Sequence, residues 1–197
     1  MSESVQARKI ILASGSPRRR ELLGLTGLKF RVALSDYEED MTLPLPPQRL
    51  AKFLSCEKAA AVAGGYKNAL VIAADTFILF NRSILGKPHT PREAARMLTL
   101  LSGRVHTVIT GYTILDSSDG RRVTRAVSTK VYFRELTRRE IDSYVATGEP
   151  LDKAGAYAIQ GRGSLFIKKI SGDYFNVIGL PLCSLTEDLK TFGIFLS

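Results

Sequence analysis

Apolar positions along the chain fall into distinct patterns, and each predicts an element. Continuous apolar runs at Ile10–Ala13 and Leu70–Ala74 read as buried strands, the second as a central strand covered on both faces. Phe77–Phe80 continues that strand, Asn81-Arg82 turns it, and Ser83–Leu85 returns as a short hairpin arm. Weak alternation over Phe30–Leu34 predicts a further strand. Leu50, Phe53, Leu54, Ala61 and Val62 recur at helical spacing, which predicts a helix from about Gln48 to Ala63, entered from the rigid Pro44–Pro47 segment and ended by Gly64-Gly65. Two capping boxes, Thr90-Pro-Arg-Glu93 and Thr137-Arg-Arg-Glu140, open helices to about Leu101 and Ala146. Between them, Arg104–Leu115 and Arg121–Phe133 flank Asp116–Gly120 as a long hairpin rich in Val, Ile, Thr and Tyr. Leu165–Ile170 reads as a strand, Gly172–Gly179 as a turn and short strand, and Pro181 to about Thr191 as the last helix. No repeat, low-complexity tract or separating linker divides the chain, so residues 1–197 are expected to form a single domain.

Composition narrows the class. The hydrophobic and charged fractions, 45% and 24%, are those of an ordinary soluble protein, and no apolar run approaches the roughly 20 residues of a membrane span. With a polar N-terminus, this predicts a cytoplasmic location and no membrane partner. Cys56 and Cys183 lack metal or redox spacing and read as reduced core or helix residues. His89 and His106 have no partners at zinc-ligand spacing. Lys and Arg outnumber Asp and Glu by 28 to 19, which favours polyanionic partners. The basic residues are scattered, however, with no aromatic-interleaved stripe, so stable nucleic-acid binding is not expected.

Four stretches carry candidate chemistry. The Ile10 strand runs through Ser14-Gly15-Ser16 into a helix starting at Pro17, with Ser16 as N-cap. A strand feeding a helix N-terminus makes an anion site. Arg18 and Arg19 in the first turn oppose the dipole, as a bound phosphate would require, unless they are simply solvated. Asp75 and Thr76 follow the Leu70 run, where a carboxylate is costly unless it is paired, metal-bound or open to a cleft. The acidic Asp36–Asp40 cluster is either a solvated loop or a cation site, and Gly86-Lys87-Pro88 displays a lysine. Between Gly148 and Gly161, small residues at Ala154, Gly155, Ala156 and Ala158 sit with Glu149, Asp152, Lys153 and Gln160, as a ligand-contacting loop or a tight structural loop would.

Ala13-Ser-Gly-Ser-Pro-Arg-Arg19, Glu57-Lys-Ala59, Ala74-Asp-Thr76, Gly86-Lys-Pro88, Leu101-Ser-Gly103, Gly148–Gly161 and Asn176-Val-Ile-Gly-Leu-Pro181, in this order, resemble the Maf family of nucleotide pyrophosphatases, the septum-formation proteins. The resemblance covers nearly the whole chain from Ile10. It implies an α/β fold: an elongated mixed β-sheet with flanking helices and two lobes around a cleft, similar to inosine triphosphate pyrophosphatases. It also implies a homodimer, and hydrolysis of a nucleoside triphosphate to monophosphate and pyrophosphate with a divalent cation (Mg²⁺, Mn²⁺ or Co²⁺). Carried over by position, Asp75 is the proton acceptor, Ser14, Arg18, Arg19, Lys58 and Lys87 bind phosphate, and Glu39 joins Asp75 at the metal. Glu38 and Asp40 stand beside Glu39 as alternatives. Arg18, Thr76 and Gln160 match positions of base selection. Tyr157-x-Ile-Gln-Gly161 and Asn176-Val-Ile-Gly resemble the subgroup acting on dTTP and UTP rather than that acting on 7-methyl-GTP. Phe77 departs from the family's usual Val or Ile.

The chemistry is consistent with those residue types. A triphosphate brings about four negative charges, which a cation with Arg and Lys neutralises while a base activates water. An amide such as Gln160 matches the donor–acceptor edge of uracil or thymine. The competing reading is a non-catalytic nucleotide or nucleic-acid binding protein with a cell-division role; a sugar-nucleotide transferase is a third.

Overall fold

A computed structural model describes residues 8–196. Its frame is one mixed sheet of seven strands in the order β2-β1-β3-β5-β6-β7, with β4 pairing β3 on the edge shared with β1. The strands are β1 (Lys9–Ala13), β2 (Phe30–Ala33), β3 (Ala69–Phe80), β4 (Ser83–Leu85), β5 (Val105–Asp116), β6 (Arg122–Phe133) and β7 (Ile167–Ser171). β1 runs parallel to β2 and β3; every other pairing is antiparallel. The α/β mixed sheet expected above is therefore present. The Leu70 run is its centre: Leu70–Ala74 are all fully buried, as a strand covered on both faces demands.

The helices are α1 (Pro17–Gly24), α2 (Pro47–Ala63), α3 (Pro91–Leu101), α4 (Arg138–Val145), α5 (Tyr174–Ile178) and α6 (Leu182–Lys190). One sheet face is covered by α2, whose Leu50, Ala51 and Leu54 meet Phe77 and Ile109, and whose Ala59 and Val62 meet Ile11, Val71 and Ala73. Gly111 lets α2 come this close: a β-carbon there would lie 2.0 Å from the Ala51 carbonyl oxygen. The opposite face carries two separate groups. Leu22 and Leu23 of α1, Ile178 of α5 and Leu185 and Leu189 of α6 pack over Leu12, Ile72, Ala74 and Tyr112. Ala94, Met97, Leu98 and Leu101 of α3, with Ile141 and Tyr144 of α4, pack over Ile78, Phe80, Val108 and Val131. Thr76, Ile78 and Val108 of this face line a cleft.

Three local readings change. Gly172–Gly179 is not a turn and short strand but holds α5, because Asp173 Oδ1 accepts from Asn176 N at 3.1 Å and caps a single turn. The last strand begins at Ile167, since Arg162–Phe166 winds as a 3₁₀ turn. At α3 the cap is half a box: Thr90 Oγ1 accepts from Glu93 N at 3.1 Å, but the Glu93 carboxylate accepts from His89 N at 2.8 Å instead of Thr90 N. The box at Thr137 and Glu140 is complete. Cys56 and Cys183 are free thiols in α2 and α6. Among the described residues no helix is long and apolar enough to cross a membrane.

Candidate active site

β1 pairs β3 as far as Ala13 and Ala73, and β4 joins the same edge only at Ile78. Among the described residues, 74–77 of β3 therefore have no strand beside them on that side. A cleft of ≈ 810 Å³ opens at this break, lined by the β1–α1 loop, Tyr37, Glu39, Lys58, Gly86-Lys87 and the 152–160 loop. It lies at the carboxyl ends of parallel strands, where ligands of α/β sheets collect. Consecutive residues of a strand face opposite sides. Asp75 accordingly points to the α2 face and Thr76 to the α1/α5 face, and both line the cleft.

On the α2 face, Asp75 Oδ1 accepts from Lys58 Nζ at 2.5 Å, and the same ammonium binds Glu39 Oε1. Asp75 is 3% exposed and Lys58 8%. The Asp75 Oδ2 atom is buried without a hydrogen-bond partner among the described residues. Burial raises the Asp75 pKa, against the pull of Lys58. Glu39 moves the other way: its partial burial is outweighed by Lys58, with Lys87 and Arg19 adding to the downward shift. Of the acidic cluster, only Glu39 turns into the cleft. Asp40 accepts from Thr42 N at 2.8 Å outside it, and Glu38 is exposed and not part of the lining.

Among the described residues no three His, Cys, Asp or Glu side chains come together as a metal-binding group. Glu39 and Asp75, with the unpartnered Oδ2, offer two hard carboxylates. They fit an ion such as Mg²⁺, which binds through one or two carboxylates and takes its other ligands from phosphates and water.

The β1–α1 loop forms the second wall. Ser16 caps α1, accepting from Arg19 N at 3.4 Å, and Ser14 Oγ accepts from Ser16 N at 3.2 Å. The Arg19 guanidinium folds back from the helix start. It donates through Nε to the Gly179 carbonyl at 2.8 Å, through Nη1 to Ser14 Oγ at 3.3 Å and through Nη2 to Thr76 Oγ1 at 3.0 Å. Burial lowers its pKa, and Asp75 and Glu39 hold it up. Two of its five N–H groups stay uncommitted. Arg18 lies 3.9 Å from Asp152 across the cleft. Lys87 is exposed at the rim, on a backbone tied down by Gly155 N donating to the Gly86 carbonyl at 2.9 Å. Five cationic side chains (Arg18, Arg19, Lys58, Lys87 and Lys153) face three carboxylates (Glu39, Asp75 and Asp152), leaving a surplus of two positive charges.

The 148–161 loop is tightly knotted and also lines the cleft. Glu149 knots it: Oε1 accepts from Tyr144 Oη at 2.9 Å and Gly163 N at 3.2 Å, and Oε2 accepts from Arg162 N at 3.2 Å. Gly155, at φ 68°, leaves room for Ile78, whose Cδ1 would stand 2.1 Å from a β-carbon there. Ala154, Tyr157, Ala158, Ile159 and the exposed Gln160 line the cleft.

All the residues singled out in the sequence (Ser14, Arg18, Arg19, Glu39, Lys58, Asp75, Thr76, Lys87 and Gln160) thus line one cleft. Of two supporting residues, Thr110 carries no local signal, and Asn176 is visible only as the first residue of the Asn176-Val-Ile-Gly motif. Thr110 lies directly across the ladder from Thr76, and Asn176 lies under it from α5. A threonine inside a Val- and Thr-rich strand looks like any other. Only the register reveals it.

Residues 9–192 match the Maf-like protein family. The "dTTP/UTP pyrophosphatase" of Moorella thermoacetica is 51% identical over 186 residues, covering 94% of this chain and 96% of that one. Proteins of the same name from a Geobacillus species and from Bacillus cereus are 48% and 49% identical, covering 94% and 95% of this chain and 99% and 97% of theirs. The structure of the Staphylococcus aureus Ham1 protein matches 64% of this chain and 72% of its own at 12% identity, with a TM-score of 0.47. With a family match across the whole sheet and the cleft, and relatives half identical from end to end, the chain belongs to the Maf family.

Proposed function

We propose that this chain hydrolyses dTTP and UTP between the α and β phosphates, releasing nucleoside monophosphate and pyrophosphate. The relatives' shared name supports the substrate class. The observation that carries the chemistry is Asp75, a carboxylate 3% exposed at a broken strand edge, with one oxygen on Lys58 and the other without a protein partner. Such a group suits a general base. It takes a proton from the attacking water as the water oxygen bonds to phosphorus and the bridging P–O bond breaks.

Lys58 opposes the burial that raises the Asp75 pKa and so favours the ionised carboxylate that a base requires. The two free N–H groups of Arg19, with Ser14, Arg18 and Lys87, hold the phosphate oxygens. A divalent cation (Mg²⁺, Mn²⁺ or Co²⁺) held by Glu39 and Asp75 would neutralise phosphate charge and fix its geometry. The amide of Gln160, on the loop wall, offers a donor and an acceptor to the imide edge of the pyrimidine, and Arg18 and Thr76 line the same cleft.

The test is pyrophosphate release from dTTP, UTP, CTP, GTP and 7-methyl-GTP, with Mg²⁺ or with chelator, for the wild type and Asp75→Asn. Metal-dependent turnover of dTTP and UTP, with kcat lower by at least about 10²-fold in the variant and nucleotide binding retained, is the expected result. Near-normal turnover by Asp75→Asn would remove Asp75 from the base role.

A further inference from the structure

Behind Thr76 runs a hydrogen-bond chain that no step of the hydrolysis uses. Thr110 is fully buried, and its Oγ1 has the Asn176 carbonyl oxygen at 2.9 Å and Thr76 Oγ1 at 2.9 Å. A carbonyl only accepts, so the single Thr110 proton goes to Asn176. That carbonyl has no helical partner, because Gly179 N and Leu180 N both bond the Phe175 carbonyl, at 3.0 and 3.1 Å. Nor is the Asn176 side chain free to shift: its Nδ2 donates to the Val108 carbonyl at 3.1 Å and to Thr129 Oγ1 at 2.9 Å.

With its proton committed, Thr110 can only accept from Thr76. The Thr76 proton is thereby turned away from the cleft. Arg19 Nη2, which can only donate, takes one Thr76 lone pair at 3.0 Å. A threonine hydroxyl has one proton and two lone pairs. One lone pair is left, on a residue that lines the cleft.

We propose that Thr110 is a positioning residue that makes the Thr76 hydroxyl an obligate acceptor, so that Thr76 pairs with a hydrogen-bond donor of the nucleoside and not with the triphosphate. Phosphate oxygens carry only lone pairs and are repelled by such a group. The matching donor is an N–H or O–H. The imide N–H is present in uracil and thymine and absent from ring nitrogen N3 of cytosine; a sugar hydroxyl is the other source. This inference rests on the nucleotide reading of the cleft, and it is tested by binding so that it is separable from turnover.

The experiment is calorimetry with non-hydrolysable α,β-imido analogues of UTP and CTP and with inorganic tripolyphosphate, all with Mg²⁺, on the wild type, Thr110→Val and Thr110→Ser. Valine keeps the shape but frees the Thr76 proton to swing toward the cleft. The expected result is five- to tenfold weaker binding of the UTP analogue by Thr110→Val, about the worth of one hydrogen bond. Tripolyphosphate should bind equally to both, and Thr110→Ser should restore wild-type affinity. A narrowed UTP-to-CTP ratio identifies the imide as donor. Equal weakening of both analogues, absent with a 2′,3′-dideoxy nucleotide, identifies the sugar.

Should the valine variant not fold, Thr110→Cys takes its place, since a thiol still donates weakly to Asn176 but accepts poorly from Thr76. Unchanged binding of the UTP analogue, parallel weakening of tripolyphosphate, or a serine variant that behaves like valine would each overturn the proposal. Tight binding without pyrophosphate release by the wild type would count against hydrolysis while leaving the role of Thr110 standing.

Discussion

Gly111→Ala probes how the helix that carries Lys58 is seated. The added β-carbon would lie 2.0 Å from the Ala51 carbonyl oxygen, 2.2 Å from its carbonyl carbon and 2.8 Å from Lys52 N. All three are backbone atoms, so no rotamer change relieves the contact. Restoring an ordinary carbon–oxygen separation of about 3.4 Å requires α2 to retreat from β5 by about 1.4 Å. Ser55 Oγ, 2.9 Å from Thr113 Oγ1, would lose that partner. Lys58, two turns beyond Ala51 on the same helix face, would lose its 2.5 Å contact with Asp75. Overpacking of this kind costs about 2–3 kcal/mol, which for a chain of this length lowers Tm by about 4–12 °C. A displacement near 1 Å at the reacting groups lowers turnover by about 10²-fold. Thermal unfolding and pyrophosphate release on the same preparation measure both effects. A Gly111→Ala protein with unaltered Tm and turnover would refute the close seating of α2 and its role in holding Lys58.

Two further predictions concern groups away from the reacting bond. His106 is 2% exposed, with Nε2 at 2.8 Å from Tyr157 Oη and Nδ1 unpartnered, and burial lowers its pKa from 6.5 to about 4. The unfolded chain takes up a proton near pH 6.5 that the folded chain refuses until about pH 4, so this stability is complete above 6.5 and declines by about 3 kcal/mol on acidification to 4. Urea midpoints at pH 7 and 4.5 should diverge more for the wild type than for His106→Gln; an identical pH response would show that the imidazole is not held neutral. Gln160→Ala should change the ranking of UTP, dTTP and CTP in kcat/KM, whereas a uniform loss across all three would make Gln160 a structural residue of its loop.

Much of the sheet was legible because its strands carry unambiguous patterns. Leu70–Ala74 is continuous and central, and the Thr137 box marks α4 by its reciprocal bonds. The five-residue α5 was not, since one turn is too short to show a helical period; its only signal is Asp173 three residues before Asn176. The charged residues that line the cleft were visible as charges in costly places: arginines at a helix N-terminus and a carboxylate after a buried run. Choosing Glu39 from its acidic neighbours required knowing which way the loop turns, which depends on Lys58 from a distant helix. Two supports behind the site, Thr110 and Gly111, are set by cross-strand register and by what packs on each face, and neither is a local property of sequence.

The placement of Asp75 and Thr76 on opposite faces of one strand has a consequence for how such an enzyme can diversify. Their α-carbons are fixed about 3.8 Å apart by a single peptide unit. Any backbone shift of β3 that retunes the proposed nucleoside contact at Thr76 therefore displaces the proposed proton acceptor, Asp75, as well. A one-residue slip would exchange their faces altogether. New substrate preferences are left to side chains arriving from elsewhere, on α5 and on the 152–160 loop, where replacement leaves the strand undisturbed. On the proposed roles, the Asp75 side of the cleft would tolerate little rearrangement, while the loop wall would be open to change residue by residue.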